Sequence, residues 1–209
     1  MPRYAIITSL LIILAMASMP GLVIATPPEV GATPPVRVVA TPEPLAKIPL
    51  TWPTAKQVPA GLELTGDGDR SLTEVVSSFS DPVATRKRFI AWGWQRNHVR
   101  TFHAPKGQFR AQDKIDGVYI SVHVFGSRDS AGAALDSLFG VLATDTRFKE
   151  IPVDPLGERS RELYGKVAYG NEVTLYVQQG NLLIRLTASS PTGDPRDQTR
   201  EMLKAMLAT

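Results

Sequence analysis

The residues best suited to chemistry in this chain are a run of basic side chains interleaved with aromatic rings. Between residues 82 and 112 the sequence has seven basic residues and no acidic one. Basic groups beside flat rings suit anionic polymers, because charge supplies affinity while the rings stack on sugars or bases. The candidate ligand-binding residues are Arg86, Lys87, Arg88, Trp92, Trp94, Arg96 and Arg100. In the alternative interpretation, the tryptophans anchor a helix to the core and the arginines only solvate its outer face.

The three histidines are the natural candidates for catalysis or metal binding. If the strands around Val99 and Val118 are antiparallel neighbours, a symmetric register places His98 opposite His123. Such a pair could hold a transition metal with a carboxylate as third ligand, but no acidic residue is fixed beside it. In the alternative, the histidines lie at a strand edge or on a solvent-facing or helix-facing side. We therefore predict no metal site and no cofactor, and keep His98 and His123 as the metal-ligand candidates.

Motifs for covalent or phosphoryl chemistry are absent from the sequence. It contains no Gly-x-Ser-x-Gly elbow, no phosphate-cradling glycine loop and no Ser-x-x-Lys. The chain also lacks cysteine, which excludes disulfides, thiol catalysis and zinc sites built on thiolates. No catalytic residue can be named, so the sequence favours a non-catalytic protein.

The first 59 residues predict export and a tether. A basic start at Arg3 precedes an apolar stretch over residues 4–17, and Val23-x-Ala25 offers a cleavage site, so residues 1–25 are typical of a signal peptide. Residues 26–59 contain nine prolines and predict a disordered Pro/Thr-rich linker or stalk. The protein is then extracytoplasmic, secreted or associated with the cell envelope. It would contact the membrane only if the N-terminal segment is kept as an anchor.

Residues 60–209 predict a single globular domain with several helix starts. Ser71 and Glu74 form a capping-box pattern, while Asp81-Pro82, Ser127 and Asp194-Pro195 are further start signals. Which face of the helix after Asp81 is buried stays open from the sequence. In the last helix, one apolar stripe is formed by Thr199, Met202, Leu203 and Met206.

The strands are predicted from alternating apolar residues. Strands are expected over residues 99–103 and 118–125, and a short one at Leu62 and Leu64 before a turn over residues 66–69. Residues 173–188 predict a hairpin, with its loop at either residues 179–180 or residues 180–181. The predicted fold is α+β, an antiparallel sheet with helices packed mainly on one face, as a two-layer sandwich.

The hairpin run GNEVTLYVQQGNLLIRLTA and the element order over residues 70–209 resemble uncharacterised bacterial extracytoplasmic α+β domains. More loosely, they resemble the external sensor domain of some mycobacterial serine/threonine kinases. The resemblance implies a binding or sensing role. No catalytic motif carries over, and the disulfides expected in such a sensor domain cannot form in this chain.

Two functional hypotheses follow. The first is a non-catalytic binding module that recognises an anionic surface polymer or ligand through residues 86–110. The second is a structural or sensor-type domain that contacts a partner envelope protein through an exposed sheet face. That face would carry Tyr119, Ser121, His123 and Phe125. The sequence identifies no individual partner in either case.

Overall fold

The computed structural model describes residues 50–54, 57–105, 111 and 113–208. The predicted signal peptide and the predicted linker up to residue 49 lie outside the described residues. The elements in chain order are β1 (Glu63–Arg70), α1 (Leu72–Val76), α2 (Pro82–Ala91), β2 (Arg96–His103), β3 (Gly117–Val124), α3 (Arg128–Ala143), β4 (Phe148–Ile151), β5 (Arg159–Val167), β6 (Gly170–Gln179), β7 (Leu182–Ser190) and α4 (Arg196–Leu207). Within these residues, no helix is long and apolar enough to cross a membrane.

The strands form one antiparallel sheet in the order β1-β2-β3-β7-β6-β5-β4. Two meanders, β1 to β3 and β4 to β7, meet where β3 pairs with β7. Helix α3 carries the chain from the centre of the sheet to its far edge at β4. The predicted α+β class and antiparallel sheet are confirmed.

Both faces of the sheet are covered, because successive strand residues point to opposite sides and each side has its own core. We call the side of Val118, Ile120 and Val122 the strap face; α4 packs there. We call the side of Phe125 and Leu183 the helix face; α1, α2 and α3 pack there. Three helices thus share one face as predicted. The two-layer arrangement is not confirmed, because α4 lies on the opposite face.

Part of the predicted linker packs against the folded domain. Residues 50–54 and 57–58, here called the strap, lie across the strap face, where Leu50, Trp52 and Val58 join the core. The Thr51 N–H donates to the Met206 carbonyl oxygen at 3.2 Å. Proline excludes regular helix and central strand but does not prevent apolar packing. The described residues just before Ala60 therefore pack against the core of the domain that was predicted for residues 60–209.

The predicted helix starts at Ser71, Asp81 and Ser127 carry side-chain caps, whereas α4 begins after Pro195 without one. The Ser71 hydroxyl accepts the Glu74 N–H at 3.3 Å, and the Glu74 carboxylate accepts the Ser71 N–H at 2.7 Å. The Asp81 carboxylate caps α2 by accepting the Ala84 N–H. Helix α2 buries Phe89 completely and leaves Ile90 60% exposed, which settles the face that the sequence left open.

The strands differ from the sequence prediction in two places. Residues 66–69 do not turn but continue β1, because they pair in register with β2. Strand β5 was not predicted. The hairpin adopts the second register, which pairs Val177 with Ile184. Gly180 has φ of +56°, as the first central residue of a type II′ turn requires.

A buried ion pair holds α4 to the strap face of β5. Glu162 is fully buried, and both of its carboxylate oxygens accept from Arg200, at 2.7 Å from Nε and 2.8 Å from Nη2. Two parallel bonds of this kind fix orientation as well as position. The pair therefore sets how α4 lies on the sheet.

Removing one partner should destabilise the protein more than removing both. Arg200→Met leaves the Glu162 carboxylate buried without its cation, and we expect it to lower the free energy of unfolding by about 3 kcal/mol. The double variant Glu162→Leu/Arg200→Met should recover much of that loss. The measurement is urea unfolding. The control is Lys204→Met, whose exposed pair with Glu201 should contribute less than about 1 kcal/mol. Equal losses for Arg200→Met and Lys204→Met would contradict this role.

Candidate functional site

A cavity of about 640 Å³ lies on the helix face, between the sheet, α1 and α3. Its floor comes from the middle strands, through Tyr119, Ser121 and His123 of β3, Tyr176 of β6 and Arg185 of β7. Its apolar walls are Val75, Phe79, Leu138, Val141, Leu142, Phe148 and Leu183. Ligand pockets commonly combine such a volume with apolar walls and a few converging polar groups.

The polar floor is organised around Tyr119. The guanidinium carbon of Arg185 lies 5.6 Å from the Tyr119 ring centroid and 5.9 Å from that of Tyr176, so this cation lies close to two aromatic rings. Nη1 of Arg70 donates to the Tyr119 hydroxyl at 3.4 Å, and its Nη2 donates to the Glu74 carbonyl oxygen at 2.7 Å. Two arginines therefore flank one tyrosine at the cavity floor.

A chain of hydrogen bonds fixes the neighbouring polar residues. The Trp94 indole N–H donates to Nδ1 of His123 at 3.1 Å. An indole nitrogen can only donate, so Nδ1 must accept and the neutral ring carries its proton on Nε2. That proton faces the Ser121 hydroxyl at 3.3 Å, which also accepts from Asn97 at 2.8 Å.

Burial lowers the pKa of His123 from its ordinary value of 6.5 to about 3, with smaller contributions from the positive charges of Arg70 and Arg185. The imidazole is therefore neutral at physiological pH and acts as a hydrogen-bond donor to Ser121. A general base must present a lone pair to the hydroxyl that it activates. The Ser121–His123 pair has the opposite polarity, so it is not arranged as a nucleophile and its base.

Two further polar pairs line the mouth of the cavity. The Tyr169 hydroxyl donates to Glu172 at 2.8 Å, and burial raises the pKa of the Glu172 carboxyl. Arg147 pairs with Asp145 at 2.6 Å, and the bond from Arg147 is the main cause that lowers the pKa of Asp145. Asp145 and Arg147 neutralise each other.

The seven predicted ligand-binding residues are divided between the two faces. Arg86, Lys87 and Arg88 lie exposed on α2. Arg86 donates to the Thr73 hydroxyl, and Arg88 donates to the hydroxyls of Ser137 and Thr85. Among the described residues, none of these three cations has a carboxylate partner. We call these three consecutive residues the cationic row of α2; Arg86 reaches towards α1 and Arg88 towards α3, so their charges surround the exposed side of the helix and do not lie on one line.

The two tryptophans do not accompany this row on the surface. Trp92 packs against Phe89 and Phe125 with ring centroids 5.7 and 6.3 Å apart, and Trp94 bonds to His123. Both are partly buried in the helix-face core, as the alternative interpretation expected.

Arg96 and Arg100 lie on the strap face, where each pairs with an acidic residue of β1. Arg96 binds both carboxylate oxygens of Asp69, at 3.0 and 2.9 Å, and Arg100 lies 3.1 Å from Asp67. His98 stands between the same two carboxylates, 2.7 Å from each. Burial alone would raise the pKa of both aspartates, but the bonds from these cations and His98 hold it below the usual value.

The two candidate metal ligands are not brought together. β2 and β3 pair Asn97 with His123 and His98 with Val122, one residue from the symmetric register. A shift of one residue moves a side chain to the other face of the sheet. His98 therefore lies on the strap face and His123 on the helix face. The described part of the chain also holds no group of three acidic, histidine or cysteine side chains placed for a metal ion.

The sheet face proposed for contact with a partner protein is not exposed. Ser121, His123 and Phe125 are 3%, 8% and 0% exposed, because α1, α2 and α3 cover them. Tyr119 is half-buried at the cavity floor. This corrects the prediction: these residues contribute to an internal site and a core, not to an outer surface.

Sequence reasoning missed the arginines of the cavity. Arg70 was missed because residues 66–69, which lead to it, were predicted as a turn and not as part of β1. Arg185 had a visible signal, because it is the only charged residue in the apolar run of β7. Charged residues are seldom buried without a partner or a function, so a cation at that position marks an interior polar site.

The neutral state of His123 should make the protein sensitive to acid. Because the folded pKa is depressed, the unfolded chain binds a proton below pH 6.5 while the folded one does not. Stability should therefore fall as pH drops from 6.5 towards 3, by roughly 1.4 kcal/mol per unit for this group. His123→Asn keeps an acceptor for Trp94, so urea unfolding from pH 7 to pH 4 should show a flatter slope. The exposed His103, changed to Asn, is the control; an unchanged slope in His123→Asn would refute the assignment.

No protein-family model matches the chain, and no curated protein matches it either. Among solved structures, it is similar to the extracellular domain of PknH from Mycobacterium tuberculosis, with a TM-score of 0.43 and 10% sequence identity. The similarity covers 58% of this chain and 66% of that chain.

Proposed function

We propose that this protein is an extracytoplasmic, non-catalytic binding domain whose ligand occupies the helix-face cavity. The observation that carries the proposal is the cavity itself: about 640 Å³, with apolar helix walls over a polar floor on the central strands. A site on rigid central strands holds its polar groups in fixed positions, which favours recognition. The predicted signal peptide and stalk support a location outside the cytoplasm.

The polar groups of the cavity favour binding over reaction. His123 is neutral, is held by Trp94 and donates towards Ser121, so the floor is a fixed set of hydrogen-bonding groups. Arg70 and Tyr119 are likewise joined to each other. Such an array can orient a ligand without transferring a proton to it.

The cationic row of α2 supports a second function, attachment to an anionic surface polymer. Arg86, Lys87 and Arg88 are exposed, and their described partners are hydroxyl groups, which leave their charge uncompensated. Val83 is 68% exposed and Ile90 60% exposed on the same helix, which adds apolar contact area. The row includes only the start of the predicted segment 86–110, because Arg96 and Arg100 pair with acidic residues of β1 and residues 106–110 lie outside the described residues.

Filling the cavity should abolish ligand binding without unfolding the domain. Val141 lines the cavity on α3, so Val141→Trp places an indole inside it. The matched control is Gly140→Trp, because a side chain at this exposed neighbour meets no atom within 4 Å. The measurement is binding of the fluorescent probe anilinonaphthalene sulfonate to the native protein. We expect wild type and Gly140→Trp to bind and Val141→Trp to lose binding. Equal binding by all three proteins would refute the cavity as the site.

Neutralising the row on α2 should weaken binding to a polyanion. We expect Arg86→Gln/Lys87→Gln/Arg88→Gln to reduce the affinity for dextran sulfate at least roughly tenfold at low salt. The affinity should also depend less on salt, because the electrostatic attraction that salt screens is lost. The matched control removes the same charge elsewhere, as Lys149→Gln/Lys166→Gln/Lys204→Gln. If both triple variants lose affinity equally, only net charge matters and the row is not a site.

A further inference from the structure

We propose that the cavity takes an anionic amphiphile: one carboxylate or phosphate group bound between Arg70 and Arg185, with an aliphatic chain along α3. This inference rests on the proposed function and names the ligand class of the same site. It combines three features of the cavity: two cations that form no ion pair within the described residues, one apolar wall and one competing carboxylate.

The cations are the first feature. Among the described residues, no carboxylate lies within ion-pair distance of Arg70 or Arg185, although the described part of the chain forms many such pairs elsewhere. The one hydrogen bond that the guanidinium of Arg185 makes within these residues goes to the Thr187 hydroxyl, at 3.3 Å from Nε. Its Nη groups are left to donate to a ligand. Arg70 is fixed by Tyr119 and Glu74, so both cations are held in place before an anion arrives.

The positions of Arg70 and Arg185 favour a ligand that carries an anionic group. Both side chains are half-buried, and a charge that is removed from water is unfavourable unless it is paired and hydrogen-bonded. Tyr119 contacts both arginines, so one anion can neutralise two charges at one place. Guanidinium groups match carboxylate and phosphate oxygens with paired donors.

The apolar wall is the second feature, and it would bind the aliphatic part of the ligand. Leu138, Val141 and Leu142 recur at helical spacing on α3 and face the cavity, and Phe79 and Val75 close the opposite side. The amount of apolar surface that a ligand removes from water sets much of its affinity. An inorganic anion would leave this wall uncovered, whereas an aliphatic tail would cover it.

Glu172 is the carboxylate of the cavity that would compete with an anionic ligand. It lines the same cavity and is bonded to the Tyr169 hydroxyl at 2.8 Å. Its charge would oppose an incoming anion near Arg185. Glu172→Gln removes that repulsion while it keeps an acceptor for Tyr169, so it should tighten anion binding. A purely structural role for these residues would not predict tighter binding.

The test compares four probes that share one tail: dodecanoate, dodecyl phosphate, dodecanol and dodecylamine. Each is titrated below its micelle concentration against protein carrying anilinonaphthalene sulfonate, and its displacement is measured. We expect wild type to bind the two anions at least roughly tenfold more tightly than the alcohol, with the amine weakest. The stronger of the two anions distinguishes a carboxylate ligand from a phosphate ligand.

The variants assign the charge preference to named residues. Arg185→Met and Arg70→Met should each lower the affinity for the two anions roughly tenfold, while the affinity for dodecanol stays the same. Arg128→Met, an exposed arginine paired with Glu158, is the control. Thermal unfolding confirms that each variant is folded, and either cavity arginine alone suffices for the test.

The two proposals fail in different ways. If Val141→Trp abolishes binding of all probes but wild type prefers dodecanol or dodecylamine, the cavity binds ligands and the anion inference is wrong. If dodecanoate and dodecyl phosphate keep their advantage in both arginine variants, the inference is wrong as well. If no probe binds wild type, the proposed function fails together with it.

Discussion

The register of β3 between β2 and β7 is the constraint on which the rest of the structure depends. These central strands are covered on both sides, so each residue must suit the environment of the face that it reaches. The alternation places Val118, Ile120 and Val122 in one core and Ser121 and His123 at the cavity floor. A slip of one residue would put the polar set into the apolar core and the apolar set at the floor.

The polar residues on the helix face are tolerated because they bond to one another. Asn97, Ser121, His123 and Trp94 come from two strands and from the segment after α2, and three hydrogen bonds join them in series; within the described residues only Oδ1 of Asn97 in this group lacks a partner. Buried polar groups without partners are strongly destabilising, so such a chain must form as a unit. It connects the end of α2 to the sheet and closes the cavity floor. Folding of this face and assembly of the site are therefore one process.

The sequence predicted those features that depend on neighbouring residues. The capping box at Ser71, the hairpin at Gly180 and the stripe of α4 each follow from local spacing and appear in the structure. The stripe says only that α4 is amphipathic, so it could not tell which face of the sheet the helix covers. Strand β5 escaped prediction because Arg161 and Glu162 interrupt its apolar pattern, and their charges are compensated by Glu150 and Arg200. The cavity could not be predicted, because it joins residues such as Arg70 and Arg185 that are distant in sequence.

The strap has a mechanical consequence. It crosses the sheet face opposite the cavity, with Trp52 packed edge-on against His98 and beside the guanidinium of Arg100. A pulling force applied at residue 50 would first load these ring contacts and the Thr51–Met206 bond, next to the end of α4. None of these residues lines the cavity. A load applied at residue 50 would thus reach contacts on the strap face before it reaches the cavity walls on the helix face.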